Sequence, residues 1–108
     1  MSDASRRVDV TDRPERGRYE ARLDGELAGF LTYRRAGDAI VLVHTQVDPA
    51  FEGRGVGGGL AAFALEDARR SGSRVTPECP FVRSWLRRHR EFSDLVDPAS
   101  PASQPEDR

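Results

Sequence analysis

Apolar and polar residues alternate from Arg18 to Leu23, the period of a half-buried strand. Asp24-Gly25 follows, a pair that tolerates the positive φ angles of a tight hairpin turn. Glu26 to Tyr33 carries Leu27, Phe30, Leu31 and Tyr33 and predicts the returning strand. After a turn at Arg35-Ala36-Gly37-Asp38, the β-branched run Ala39 to Val47 predicts a third, central strand. Three strands joined by short turns form an antiparallel meander.

The period then changes. Asp48 to Gly59 is a loop with its glycines clustered at the end, and a helix is expected from about Gly58 to Arg70. Leu60, Ala61, Ala64, Leu65 and Ala68 fall on one face of it. Gly72 sits where a left-handed residue would stop the helix. Arg74 to Pro77 predicts a short strand. Pro80 suits the first turn of a second helix running to about Arg90, with Phe81 above Trp85 and Val82 above Leu86. The expected fold is α/β: the meander, then helix, strand and helix.

The two ends lack any such period. Residues 1–16 are rich in Arg, Asp and Ser and predict a flexible arm, with Val8 and Val10 the only candidates in it for order. Residues 97–108 (DPASPASQPEDR) predict a disordered tail, because Pro, Ser and acidic residues offer no face to bury. Residues 17–96 are left as one domain, the size for a single modest core.

Composition narrows the function. All 17 basic residues are Arg, which excludes a Walker-type phosphate loop and a Schiff base, since both need Lys. The net charge of −1 and the lack of an aromatic stacking platform argue against nucleic acid. The longest strongly apolar run, Ala39 to Val43, is too short to span a bilayer, and the charged N-terminus lacks the apolar stretch of a secretory signal. With one cysteine, Cys79, and no intrachain disulfide to form, a reducing compartment, the cytoplasm, is the expectation.

Gly53-Arg54-Gly55-Val56-Gly57-Gly58 leads into a helix whose first amides have no internal partner and whose dipole is positive there. Glycines let the backbone approach an anion closely, so the segment reads as a pyrophosphate cradle. The plainer reading is a loop whose glycines serve tight packing only. Gly53, Gly55 and Gly58 also satisfy the dinucleotide-binding spacing. That match is accidental, because such a fold places its first glycine directly after the strand and Asp48 to Glu52 intervenes here.

Four blocks carry a family resemblance: His44-Thr45-Gln46-Val47; Glu52-Gly53-Arg54-Gly55-Val56-Gly57; Pro77-Glu78-Cys79-Pro80-Phe81-Val82; and His89-Arg90-Glu91-Phe92 with Asp94-Leu95-Val96. In this order and spacing the chain resembles the minimal single-domain GNAT-type N-acetyltransferases, which lack the N-terminal helices of larger members. The resemblance spans roughly Arg18 to Val96. It implies acetyl-CoA as cofactor and transfer of its acetyl group to an amine. It further implies that Gln46 and Val47 offer backbone hydrogen bonds to the pantetheine arm. Gly53, Arg54, Gly55, Val56, Gly57 and Gly58 would hold the pyrophosphate, and Cys79 would lie near the thioester.

Gln46 stands where these proteins usually carry Glu, and Arg90 where they usually carry Pro. The first departure removes a carboxylate able to act as general base. It keeps open an alternative function, an acyl-CoA-binding sensor or adaptor without turnover.

Two residues are candidates for catalysis. Cys79 precedes Pro80 at the expected start of the second helix, where the dipole favours a thiolate that could accept an acyl group; equally, a lone buried thiol is often a small hydrophobe. Period two puts His44 on one strand face with Ile40, Leu42 and Gln46, where it could deprotonate an attacking amine or simply be a hydrogen-bonded strand residue. His89 is expected at the pocket rim or in a structural role, and Arg54, Arg69-Arg70 or the run Arg87, Arg88, Arg90 could meet a cofactor phosphate. His44, Cys79 and His89 match no compact zinc signature, so no metal is expected. The acceptor is narrowed only to a small-molecule amine or an exposed chain terminus, with oligomeric state open.

Overall fold

The computed structural model describes residues 8–96. Its strands are β1 (Val8–Arg13), β2 (Arg18–Leu23), β3 (Glu26–Ala36), β4 (Ala39–Val47) and β5 (Arg74–Pro77). Helix α1 (Val56–Ser71) joins β4 to β5, and α2 (Pro80–Arg88) follows β5. Three-residue 3-10 turns occupy Pro14–Arg16 and Pro49–Phe51, and a longer one spans Arg90–Leu95. The strands lie in chain order in one sheet. The first four are antiparallel, and β5 returns through α1 to lie parallel to β4. This is the α/β fold that the periodicity predicts, with one strand more.

That strand corrects the reading of a flexible arm over residues 8–16, where Val8 and Val10 were the candidates for order. β1 pairs with β2 from Val8↔Leu23 to Arg13↔Arg18. Val8 packs where Gly59 of α1 leaves room, for a Cβ at position 59 would stand 3.3 Å from a Val8 methyl. Asp12 accepts a 2.6 Å hydrogen bond from the Tyr33 hydroxyl. Gly17, left-handed at φ 64°, turns the chain back, and its carbonyl accepts from the Tyr33 amide at 2.8 Å. Val8 and Val10, alternating with Asp9 and Thr11 amid arginines and aspartates, were too few to show as a period. Residues 1–7 and the expected tail, 97–108, lie outside the described residues.

Helix α1 starts at Val56, two residues before the expected start, so the run Gly57-Gly58-Gly59 is helical. Glycine inside a helix costs roughly 0.5–1 kcal/mol against Ala. Close packing accounts for one of them: a Cβ at Gly57 would come within 2.8 Å of the far end of the Phe81 ring, which would have to shift, whereas one at Gly58 would make only an ordinary contact, 3.7 Å from the Trp85 indole nitrogen. The glycines let α1 and α2 lie side by side on one face of the sheet. Gly72 ends α1 in the left-handed region, and the Ser73 amide bonds to the Ala68 carbonyl at 2.9 Å. Helix α2 ends at Arg88, slightly short of the expected Arg90.

The core fills the space between that sheet face and the helices. Leu31, Leu42, Leu60, Leu65, Val75 and Val82 are fully buried in it. Tyr19 is buried too, and its hydroxyl reaches Asp67 of α1 at 3.0 Å, tying sheet to helix. Burial, then the Asp67 carboxylate, pushes the Tyr19 phenol well above its ordinary pKa. Burial, then Asp12, pushes Tyr33 up to about 12. The opposite sheet face carries Arg18, Glu20, Phe30, Thr32 and Val43, and among the described residues no helix covers it.

Candidate active site

The site begins where β4 and β5 part. Their pairing ends at Leu42↔Pro77, and the Leu42 carbonyl closes the fork by accepting from the amides of Glu78 (2.9 Å) and Cys79 (3.0 Å). β4 runs on for five residues, from Val43 to Val47, paired with β3 alone. Its other edge keeps backbone donors and acceptors that the sheet does not use.

A bulge sets the direction of the side chains along that edge. Tyr33 faces Leu42 but Thr32 faces His44, so Val43 is an extra residue on β4. One inserted residue reverses the alternation. Ile40 and Leu42 point into the core; beyond the bulge Thr45 and Val47 take the core side, while His44 and Gln46 are exposed on the open face. This corrects the expectation that period two groups His44 with Ile40 and Leu42; of that set only Gln46 shares its face.

Cys79 is the residue before α2, as the position of Pro80 predicts. Its side chain is 2% exposed and belongs to the core, with Sγ 3.2 Å from the Thr45 hydroxyl. The Arg83 guanidinium bonds to the Glu78 carbonyl at 3.0 Å. His44 and Cys79 therefore lie on opposite sides of the sheet and form no dyad.

At the far end of the β4 edge, a cleft of about 500 Å³ opens between the two helices. Of the residues expected to hold the cofactor, Val47, Gly53, Gly55, Val56, Gly57 and Gly58 line it. Gln46 and Arg54 are exposed beside it, outside the lining. Gly53 (φ 80°) and Gly55 (φ 83°) are left-handed, and each has open space where a Cβ would be, so backbone conformation alone requires glycine there. The Gly55 carbonyl accepts from the Gly59 amide at 2.9 Å, which leaves the amides of Val56, Gly57 and Gly58 without intrahelical partners. Asp48 caps the preceding 3-10 turn, accepting from the Ala50 amide at 2.9 Å.

The opposite wall is aromatic. Phe81 and Trp85 line the cleft, and His89 stacks on Trp85 with ring centres 3.8 Å apart. The His89 Nδ1 lies 2.8 Å from the Trp85 carbonyl. Arg88 joins the lining, with its guanidinium 3.2 Å from the Ser84 hydroxyl. The sequence marked Phe81 and Trp85 only as a helix stripe and gave Phe51 no role; their place in the lining follows from packing across α1, which no local pattern displays. Thr45, the partner of Cys79, depended on the bulge.

The sequence profile of the GCN5-related N-acetyltransferases matches residues 18–95. The chain belongs to that family. No curated protein sequence matches this GNAT domain significantly. Among solved structures, a GCN5-like protein from Staphylococcus aureus superposes with a TM-score of 0.63 at 21% identity, covering 90% of this chain and 91% of its own. The ribosomal-protein-alanine N-acetyltransferase of Brucella melitensis gives a TM-score of 0.54 at 20% identity, covering 87% of this chain and 70% of its own. At such identities the likeness speaks for the fold. Among the described residues no cluster of His, Cys, Asp and Glu could hold a metal, and no helix is long and apolar enough to cross a membrane.

Proposed function

We propose that this GNAT domain is an N-acetyltransferase that takes its acetyl group from acetyl-CoA and passes it to an amine. The observation that carries the reading is the continuity of the unpaired β4 edge with a glycine-lined helix start. Three amides without intrahelical partners at the positive end of α1 suit a pyrophosphate. Gly53 and Gly55, left-handed and with open space beside them, let the bare backbone face an occupant of the cleft. Val47, Phe81 and Trp85 offer an apolar wall for the pantetheine arm, and the β4 edge offers it a strand-like ladder.

When bound, acetyl-CoA supplies the acyl group already activated as a thioester. The chain's part is to hold that group at the fork beyond Leu42 and to stabilise the oxyanion with a β4 amide. His44, exposed on the open face, accepts the proton of an amine arriving from that side. Cys79 is buried and hydrogen-bonded to Thr45, which favours direct attack by the amine over relay through the thiol. With Gln46 in place of a carboxylate, binding without turnover is the alternative. Mixing the protein with acetyl-CoA and a panel of peptides and small amines, with product read by mass spectrometry, separates the two. Acetylated product supports transfer, and CoA binding without product supports the sensor or adaptor.

A further inference from the structure

The open face of the sheet carries a charge cluster that the acetyl-transfer chemistry does not use. Glu20 of β2 is 2% exposed, and four guanidiniums surround its carboxylate. Arg18 stands at 2.7 Å, Arg16 at 3.2 Å, Arg22 at 3.5 Å and Arg13 at 3.7 Å. The Arg18 hydrogen bond is the main cause that holds the Glu20 carboxyl below its ordinary pKa. Glu20 offsets one of these charges and Asp9 of β1 can offset a second, so among the described residues the patch keeps an excess of positive charge. Asp9 stands opposite Arg22 in the β1–β2 register, and Glu78, also on this face, is paired with Arg34 at 3.4 Å. Gathering like charges costs free energy that a purely structural Glu20–Arg18 pair would avoid.

The sheet register connects the cluster to the site. Arg18 faces Thr32, and Thr32 faces His44, so the three occupy one rung across β2, β3 and β4. Two strand spacings put the backbones of Arg18 and His44 about 10 Å apart. The next rung runs from Glu20 through Phe30 to Gln46, with the Arg18 guanidinium 4.4 Å above the Phe30 ring. On this face Leu27 and Val43 are each more than one-third exposed. A small molecule needs a concavity that buries most of it. A partly apolar sheet face beside a cluster of arginines suits an extended chain bearing a carboxylate.

We propose that the acceptor is a protein or peptide with a free N-terminal amine and an acidic residue about three positions downstream, laid across the open face with its amine at His44 and its carboxylate on the Arg13–Arg16–Arg18–Arg22 cluster. An extended chain covers about 10 Å in three residues, which matches the rung. This assignment rests on the acetyl-transfer reading for its chemistry, but the docking surface can be tested without it.

The test uses the full-length protein and peptides differing only at positions 3 to 5, bearing Asp or Glu, Ser or Gln, or Lys. Fluorescence anisotropy of C-terminally labelled peptide measures docking, calorimetry measures acetyl-CoA affinity, and steady-state kinetics measure KM. The acidic peptides should bind at least tenfold more tightly than the neutral ones and show a correspondingly lower KM. The preference should shrink as added salt shortens the Debye length. The double variant Arg16→Gln/Arg22→Gln retains Arg18 on Glu20; it should lose the preference while keeping acetyl-CoA affinity. Equal binding of acidic and neutral peptides, or a preference that survives in the double variant, would overturn the proposal. So would a dimer that buries this face and excludes peptide in sedimentation experiments. If acetyl-CoA itself does not bind, the reading of the cleft fails, and the anisotropy still decides the arginine patch.

Discussion

Gly29 is the position where a single methyl group most directly challenges the architecture of the site. A Cβ there would lie 2.6 Å from the Gln46 carbonyl oxygen, 3.1 Å from a Val56 methyl and 3.3 Å from the Val47 Cα. The first and third of these are backbone atoms of β4, which cannot rotate away. Val56 is 1% exposed and opens α1. Gly29→Ala must therefore push the end of β4 from β3, shift the start of α1, or both. Overpacking a well-filled site costs about 1–3 kcal/mol. Taking about 2 kcal/mol, and 4–8 °C per kcal/mol for a domain of this size, the melting temperature should fall by roughly 8–16 °C. Because the displaced atoms frame the cleft, acetyl-CoA affinity should fall as well, at temperatures where the variant is still folded. Gly59→Ala is the contrast: its nearest neighbours are Val8 side-chain atoms at 3.3–3.4 Å on an edge strand, and it gains helix propensity. Thermal melts and calorimetry on both variants decide the matter. A Gly29→Ala protein that melts and binds like wild type would refute the packing argument.

Cys79→Ala should lower stability modestly and leave turnover near wild type, whereas loss of turnover with retained CoA binding would restore the thiol relay. The chain's two tyrosines are held neutral, Tyr33 up to about 12 and Tyr19 beyond it. Their contribution to stability is fully present below the unfolded pKa of about 10 and lost as pH rises through the folded values. A spectrophotometric titration should show no phenolate near pH 10 in the folded protein, and normal titration there would contradict the burial. At the acid end, Glu20 is held down chiefly by Arg18, so its contribution is present above the unfolded pKa of about 4.3 and lost as pH falls through the folded value. Denaturant melts across this range should show a loss of stability on acidification that Glu20→Gln removes.

Much of the fold was legible because periodic or β-branched segments stood next to turn and stop residues. The alternation of β2, the β-branched run of β4 and the apolar stripe of α1 each adjoin clear punctuation, with Asp24-Gly25 marking the turn and Gly72 the stop. β1 was not legible, since Val8 and Val10 alternate with Asp9 and Thr11 for barely one strand's length inside a charged segment. The glycine run was legible as a candidate anion site, but its individual glycines act differently. Gly53 and Gly55 serve backbone conformation, whereas Gly57 and Gly59 serve contact with Phe81 and Val8. His44 was misplaced because a bulge at Val43 depends on how β4 meets β3, a non-local pairing that period two cannot reveal. The arginine cluster was invisible for the same reason: Arg13, Arg16, Arg18 and Arg22 look like scattered charge until β1 folds back beside β2.

The central claim is that the cleft between α1 and α2 holds acetyl-CoA through the amides at the start of α1. Isothermal titration of the protein with acetyl-CoA tests it most directly, run beside Gly57→Val, whose side chain would occupy the space against Phe81. The account predicts one saturable site on the wild-type protein. Affinity should fall at least tenfold, about 1.4 kcal/mol, in the variant while its fold persists. Absence of binding to the wild type, or equal affinity in a folded Gly57→Val protein, would contradict it.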